Sequence, residues 1–219
     1  MEERDVIQRI RRKKIIAIVR GFEPEECLEL AKALYGGGIE LVEVTFDQRN
    51  RELFSKTTEA IRLIRNELSG AVIAGAGTVL DREQADLAKE AGAEYIISPD
   101  VNEEVIRYTK ELGLVSVPGA ISPTEAVRAH RAGADFVKLF PVSCLGSAYV
   151  KAVRAPLGHI EMLAVGGVSA QNIREFLDAG AVGAGVGGQL TKREYIENRE
   201  FGKITELARE YVKNAGVTR

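Results

Sequence analysis

Residues 130–141 read His-Arg-Ala-Gly-Ala-Asp-Phe-Val-Lys-Leu-Phe-Pro, which predicts a helix end, a glycine and a short apolar strand. Glycine commonly ends a helix because it adopts the left-handed backbone conformation without strain. The same order of helix, glycine and strand recurs along the chain, and Gly92, Gly113 and Gly133 lie about twenty residues apart. This period predicts a chain built from minimal helix-plus-strand units.

Short β-rich runs separated by helical segments continue along the whole chain. Eight strands are predicted, at residues 15–20, 39–46, 71–78, 93–99, 114–119, 134–141, 160–165 and 181–186. Strands that alternate with helices form a parallel sheet, either a closed barrel or an open doubly wound sheet. The strand count and the near-even spacing favour a closed (β/α)8 TIM barrel. No linker or composition shift divides the sequence, so we expect one domain over residues 1–219.

Local signals predict where the helices begin. Ser122-Pro-Thr-Glu125 and Thr191-Lys-Arg-Glu194 both resemble capping boxes, in which side chains satisfy the first N–H groups of a helix. Further helices are expected after Pro24, Asp81, Asn102 and Ser169 and over residues 51–68 and 202–215. A short amphipathic helix is predicted before the first strand, with an apolar face formed by Val6, Ile7 and Ile10. The basic residues 11–14 are expected to form a solvated turn.

The composition excludes several classes of function. A net charge of −2 gives no basic field to attract nucleic acid. No apolar run approaches the roughly twenty residues of a membrane span. Cys27 and Cys144 are too few for a disulfide framework and fit a reducing cytoplasm, where both are expected to be small apolar residues. We therefore expect a cytoplasmic protein that acts on a small molecule, without a nucleic-acid or membrane partner.

Lys138 lies in the middle of the apolar strand predicted at residues 134–141. Burial disfavours the ammonium form, lowers the lysine pKa and frees the amine to attack carbonyl carbons. The alternative is a lysine near a strand end whose head reaches solvent.

Glu43 is the second charged residue inside an apolar strand, between Leu41 and Phe46. One interpretation is a structural ion pair with Arg20, because structural ion pairs also perturb pKa values. The other is a carboxyl of raised pKa that moves protons near neutral pH. A lysine and a carboxyl at one end of a barrel suit imine chemistry, in which the protonated imine acts as an electron sink.

Polar residues and glycines end nearly every predicted strand, and chemistry in a barrel takes place at the carboxyl ends of the strands. These residues are Arg20, Glu43, Thr45, Thr78, Ser98, Pro99, Pro118, Gly119, Gly166, Gly167, Gly187 and Gly188. Glycines after the last two strands often bind phosphate through backbone N–H groups. Residues 183–188 also match a dinucleotide fingerprint, but no strand follows to complete that unit. His130 and His159 have no partners at metal-ligand spacing and are expected at the surface, so we predict neither a metal nor another cofactor.

Six motifs in order carry a family resemblance: Val42-Glu-Val-Thr45, Gly75-Ala-Gly-Thr-Val79, Ser98-Pro99, Pro118-Gly119, Lys138-Leu-Phe-Pro141 and Gly166-Gly167. Over residues 15–190 the chain resembles the class I 2-keto-3-deoxy-6-phosphogluconate and 2-keto-3-deoxy-6-phosphogalactonate aldolases. Each motif is weak alone, whereas the ordered set is specific. The resemblance implies a (β/α)8 barrel, usually a homotrimer, that cleaves a phosphorylated keto-deoxy sugar acid to pyruvate and glyceraldehyde 3-phosphate without a metal.

The resemblance also implies a role for each matched residue. Lys138 corresponds to the Schiff-base lysine and Glu43 to the general acid and base. The pyruvyl carboxylate is expected to bind Arg20 and Thr78, in a pocket shaped by Pro99 and Phe140. The substrate phosphate is expected to bind the backbone N–H groups of Gly166, Gly167, Gly187 and Gly188.

Three positions depart from the gluconate-type pattern. Asp47 stands where those enzymes often have arginine, Val165 where they have threonine, and Gly188 where they usually have serine. Ala-Val-Gly-Gly-Val over residues 164–168 is closer to the galactonate type. The sequence therefore leaves open a 4-hydroxy-2-oxoglutarate aldolase. It also leaves open a sugar-phosphate isomerase or epimerase with Glu43 as base and Lys138 as a clamp, and a phosphate-binding barrel without catalysis.

Overall fold

The computed structural model describes residues 2–217, and its strands form one parallel sheet that curves into a barrel. The strands are β1 (Ile15–Val19), β2 (Leu41–Thr45), β3 (Ile73–Gly77), β4 (Tyr95–Ile97), β5 (Val115–Val117), β6 (Gly119–Ala120), β7 (Val137–Leu139), β8 (Met162–Val165) and β9 (Gly183–Val186). Their order is β5-β4-β3-β2-β1-β9-β8-β7-β6, so the two outermost segments are consecutive in sequence.

Pro118 separates β5 from β6 and explains why nine segments occupy eight barrel positions. Proline has no N–H group and therefore interrupts a strand ladder. Its carbonyl still accepts a hydrogen bond from Lys138 N at 2.8 Å, and Ser116 O accepts one from Asp135 N at 3.0 Å. These bonds join the fifth barrel position to β7. The predicted eight-position barrel is therefore confirmed, with the fifth strand in two parts.

The helices follow the strands in the expected alternation. They are α1 (Glu3–Lys13), α2 (Pro24–Gly36), α3 (Phe54–Glu67), α4 (Arg82–Ala91), α5 (Glu103–Glu111), α6 (Pro123–Arg131), α7 (Gly146–Arg154), α8 (Ile173–Asp178), α9 (Arg193–Glu197) and α10 (Phe201–Asn214). Short 3-10 turns cover Arg51–Leu53 and Val142–Cys144. Helix α7 was not predicted, and it begins without any side-chain cap that the sequence could reveal.

The capping predictions had mixed outcomes. The capping box of Ser122 and Glu125 is present at the start of α6. The one proposed at Thr191 is wrong, because the Thr191 hydroxyl donates to Ile18 O at 3.2 Å and α9 begins only at Arg193. The helix expected after Ser169 begins four residues later, at Ile173, behind a turn closed by Ser169 and Asn172.

Helix α1 closes the end of the barrel opposite to the carboxyl ends of the strands. Its buried residues Val6 and Ile10 join the interior cluster that contains Ile16, Leu41 and Phe136. The solvated turn expected at residues 11–14 is wrong, because α1 continues through Lys13 and its basic residues pair with acidic groups of the barrel. These pairs are Arg11 with Glu161 at 2.5 Å and Lys13 with Glu40 at 2.8 Å.

The two cysteines differ in environment. Cys27 is buried, and burial raises the pKa of its thiol to about 12. Cys144 is exposed. Among the helices of residues 2–217, none is long and apolar enough to cross a membrane.

Candidate active site

Lys138 and Glu43 both lie inside the barrel. Lys138 is in β7 and is 6% exposed, whereas Glu43 is in β2 and is 1% exposed. Side chains alternate along a strand, so these two residues share the interior with Phe136 and Leu41, two positions earlier on their strands. The alternative of a lysine head in open solvent does not hold.

The Glu43 carboxyl is buried without compensation from hydrogen bonds. Neither oxygen has a hydrogen-bond partner among the described residues. Burial raises the pKa of Glu43, and the positive charges of Lys138 and Arg20 oppose that rise only in part. The alternative of a structural pair with Arg20 is wrong, because the guanidinium Nη2 donates instead to the Thr78 hydroxyl at 3.4 Å.

Two glycines of β3 make room for the polar groups of the interior. A Cβ atom on Gly77 would lie 1.8 Å from Glu43 Oε1, and one on Gly75 would lie 2.1 Å from the ring of Tyr95. Tyr95 is fully buried, its hydroxyl has no hydrogen-bond partner, and burial together with the charge of Glu43 raises its pKa. Tyr95 is not among the site residues predicted from the sequence, although its place two residues before Ile97 indicates an inward-facing position.

Gly77→Ala is expected to displace the Glu43 carboxyl. The added methyl group has no space, so the carboxyl must move, at a cost of about 1–3 kcal/mol in folding free energy. With Glu43 in the proton-carrying role that the resemblance implies, this displacement is expected to lower kcat/KM by roughly 10- to 100-fold. Steady-state kinetics and thermal unfolding measure both effects.

Gly202→Ala is the matched control for this substitution. A Cβ atom on Gly202 would meet nothing within 4 Å, and Gly202 is an exposed residue in the first turn of α10. It should leave activity unchanged and stabilise the helix by up to about 1 kcal/mol. Equal kcat/KM values for Gly77→Ala and the wild type would contradict this prediction, because they would show that activity does not depend on the exact position of the Glu43 carboxyl.

Arg20 and Thr78 line an open cleft of about 500 Å³ next to the ends of β1, β2 and β3. Arg49 and Arg193 add positive charge to this cleft, which neither Lys138 nor Glu43 lines. Asp47 pairs with Arg49 at 2.7 Å, and this guanidinium lowers the pKa of the carboxyl to about 2. Asp47, one of the three residues that depart from the gluconate-type pattern, therefore forms an ion pair with Arg49 at the edge of the cleft.

Phe140 lies beside Lys138, and Pro99 lies beside its neighbour in the sheet, Gly119. The Lys138 Nζ atom lies 4.9 Å from the centre of the half-exposed Phe140 ring. Gly119 pairs with Lys138 in the sheet, and a Cβ atom on Gly119 would lie 2.3 Å from Pro99 O. The backbone of Pro99 therefore lies against Gly119, the residue that pairs with Lys138 in the sheet.

The two glycine pairs lie at the carboxyl ends of neighbouring strands, β8 and β9. Gly166 and Gly167 have φ values of +92° and +79°, and a Cβ atom on Gly167 would lie 2.5 Å from Ser143 Cβ. Around a Cβ atom on Gly188 there is open space. The loop and turn hydrogen bonds of residues 2–217 use none of the N–H groups of Gly166, Gly167, Gly187 and Gly188 as donors.

The third departing position, Val165, lies immediately before the first glycine pair. It is buried in the barrel interior, and a Cβ atom on Gly185 would lie 2.9 Å from its Cγ2 atom. His130 and His159 are surface residues as predicted, with ring centres 5.3 Å apart. Within residues 2–217, no three or more His, Cys, Asp or Glu side chains form a group that could hold a metal ion.

Comparisons with known proteins agree with this arrangement. The family model "KDPG and KHG aldolase" matches residues 6–207. The 2-dehydro-3-deoxy-6-phosphogalactonate aldolase of Escherichia coli K12 is 35% identical over 91% of this chain and 93% of its own length. The 2-dehydro-3-deoxy-phosphogluconate aldolase of Treponema pallidum is 34% identical over 97% of this chain and 98% of its own length.

A KDPG aldolase structure from Legionella pneumophila, with pyruvate captured as a covalent carbinolamine, superposes with a TM-score of 0.82. It is 27% identical and covers 96% of both chains. A match over nearly the whole chain, with relatives above 30% identity that are named aldolases, shows the family. The chain belongs to the KDPG and KHG aldolases and is a carbon–carbon lyase.

Proposed function

We propose that this aldolase cleaves a 2-keto-3-deoxy-6-phospho sugar acid to pyruvate and glyceraldehyde 3-phosphate through a Schiff base on Lys138. One observation carries the proposal. A buried amine and a buried carboxyl of raised pKa, which has no hydrogen-bond partner, share the interior of one barrel. The names of the relatives support the same substrate class.

The first half of the reaction forms the imine. The neutral amine of Lys138 adds to the C2 carbonyl of the keto acid and gives a carbinolamine. Glu43, whose pKa is raised by burial, donates a proton to the departing hydroxyl, which leaves as water. The product is a protonated imine on Lys138, and Glu43 becomes a carboxylate beside it.

The second half breaks the carbon–carbon bond. Glu43 accepts the proton of the C4 hydroxyl, the C3–C4 bond breaks, and its electrons form an enamine as the imine nitrogen becomes neutral. The aldehyde phosphate leaves, and Glu43 returns the proton to C3. Water then adds to the imine while Glu43 accepts a proton, and collapse of the carbinolamine releases pyruvate and the free amine of Lys138.

The rest of the site supplies anion recognition in this proposal. Arg20 and the Thr78 hydroxyl meet at the mouth of the barrel, where they would bind the keto-acid carboxylate, and Pro99 and Phe140 would shape the pocket around the imine. The glycine pairs after β8 and β9 would bind the phosphate. Within residues 2–217 none of these four N–H groups donates a loop or turn hydrogen bond, and the space beside Gly188 is open; both observations support this role.

Pyruvate release from three substrates tests the proposed specificity. The substrates are the 6-phosphogluconate-type and 6-phosphogalactonate-type keto-deoxy acids and unphosphorylated 4-hydroxy-2-oxoglutarate. Val165 has a methyl group where the threonine of gluconate-type enzymes has a hydroxyl that can donate a hydrogen bond to the substrate. We therefore expect the galactonate-type acid to have the highest kcat/KM. Cleavage of only the unphosphorylated acid would overturn the phosphate assignment, and the absence of pyruvate from all three would overturn the proposed reaction.

Gly188→Ser is expected to strengthen phosphate binding. The position has space for a side chain and its backbone is not left-handed, so serine can present a hydroxyl to the phosphate. One hydrogen bond to a charged group should lower KM for the phosphorylated substrate by roughly tenfold. KM for 4-hydroxy-2-oxoglutarate should not change. A fall in KM for both substrates, or for neither, would place the phosphate elsewhere.

We further propose a cytoplasmic homotrimer. Ile121 and Leu145 are exposed apolar residues, and helix α7, which follows Leu145, contacts the Ile121 loop because the Tyr149 hydroxyl donates to Ile121 O. A designed cage made by fusing symmetric oligomeric domains contains a 34% identical relative with a TM-score of 0.81, covering 92% of this chain and 71% of that one. Sedimentation equilibrium tests the trimer directly.

A further inference from the structure

Thr78 has a strained backbone at the mouth of the barrel. Its φ is +58°, in the left-handed region that a β-branched side chain rarely adopts. Such a conformation persists only where the surrounding structure enforces it, and it often marks a functional position. The side-chain hydroxyl of this residue contacts Arg20, so the strain lies in the proposed carboxylate site.

Two glutamines hold the Thr78 backbone through consecutive hydrogen bonds. Gln48 Nε2 donates to Thr78 O at 2.6 Å, and Gln84 Nε2 donates to Gln48 Oε1 at 2.8 Å. Gln84 Oε1 in turn accepts from Leu80 N at 2.7 Å. We call this pair of side chains, Gln48 and Gln84, the glutamine relay.

The direction of the relay is fixed by the backbone. A main-chain N–H can only donate, so the Leu80 N–H requires the oxygen of the Gln84 amide to face it. The amide nitrogen must then face Gln48, which turns the Gln48 oxygen inward and its nitrogen toward Thr78 O. Because Gln84 is 1% exposed, water does not compete at this end of the relay.

The relay also fixes the edge of the open cleft. Gln48 lines that cleft together with Arg20 and Thr78, and it is anchored from behind by α4 through Gln84. We propose that Gln48 and Gln84 are positioning residues, which hold Thr78 in its left-handed conformation so that its hydroxyl and the Arg20 guanidinium bind the keto-acid carboxylate together. This inference rests on the function proposed above.

Gln48→Ala tests the relay at its exposed end, where the fold tolerates substitution. The readout is the pyruvate concentration that gives half-maximal borohydride trapping, together with KM and kcat for cleavage. Because carboxylate binding acts on the bound substrate and the transition state alike, we expect KM and the half-maximal concentration to rise about tenfold while kcat stays within about twofold. Thermal unfolding of the variant should be close to that of the wild type.

Two further variants separate positioning from general stability. Gln48→Glu accepts from Gln84 but has no donor for Thr78 O, so it should fail to restore binding. In a Thr78→Gly background, where glycine adopts the left-handed conformation freely, Gln48→Ala should have no additional effect on KM. Gln171→Ala removes an exposed glutamine that donates to Glu210 at 3.1 Å, and this control should match the wild type.

The outcomes distinguish the relay from the proposed function. If pyruvate is trapped on the wild type and Gln48→Ala needs the same pyruvate concentration for half-maximal trapping, the proposed role of the relay is wrong but the proposed function stands. The role of the relay is also wrong if Gln48→Ala has a lower kcat and a lower thermal stability but an unchanged KM. A wild type that forms no adduct with pyruvate would overturn the proposed function and the relay with it.

Discussion

Lys138→Arg is expected to lower kcat/KM for aldol cleavage by on the order of 10⁵-fold, because arginine keeps the charge but forms no imine. The substitution retains a cation beside Phe140 in the barrel interior, so it tests the nucleophile rather than the charge. Loss of turnover with a preserved fold, measured by coupled pyruvate assay and circular dichroism, is the result we predict.

Lys151→Arg is the control, because Lys151 is an exposed residue of α7 outside the barrel interior. It should have wild-type kinetics. Substantial cleavage by Lys138→Arg would contradict imine chemistry and would favour a mechanism in which Lys138 is only an electrostatic clamp.

Glu43→Gln is expected to lower kcat by roughly 10²- to 10⁴-fold, the usual contribution of a general acid and base. Glutamine preserves the shape of the side chain but cannot carry the proton between the carbinolamine, the C4 hydroxyl and C3. The slow steps of the variant should be those that Glu43 assists. Single-turnover trapping should therefore show slower imine formation but the same adduct on Lys138.

The same substitution should change the pH dependence of stability. The folded-state pKa of Glu43 is raised, so between the unfolded value of about 4.3 and the folded value the native protein binds more protons than the unfolded chain. The free energy of unfolding contributed by this group therefore falls as pH rises through that window. Glu43→Gln should remove this loss, which denaturant titrations on both proteins at several pH values can measure. A steeper loss in the variant would contradict the burial of an unpaired carboxyl.

Most of the fold follows from local sequence signals. Glycines at helix ends, such as Gly92 with its φ of +95°, recur at the period of one helix and one strand and so predict the barrel. The break at Pro118 was not predicted: the expected strand over residues 114–119 runs through this proline, which has no N–H group and therefore interrupts the ladder. Thr191 misled the capping prediction because its hydroxyl has a distant competing acceptor, Ile18 O, which no local pattern contains.

The candidate site was predictable at positions where a charged residue interrupts an apolar stretch of sequence. Lys138 and Glu43 are charges within apolar strands, and this contrast is visible in the sequence. The glutamine relay and Tyr95 depend on contacts between elements distant in sequence. Gln48 and Gln84 lie 36 residues apart, and the hydroxyl of Tyr95 lacks a partner only because the barrel encloses it.

Borohydride reduction in the presence of pyruvate, followed by peptide mapping, tests the central claim most directly. The account predicts a single covalent pyruvyl adduct, on the peptide that contains Lys138, and its formation should require both pyruvate and borohydride. An unmodified Lys138, or an adduct on a different lysine, would contradict it.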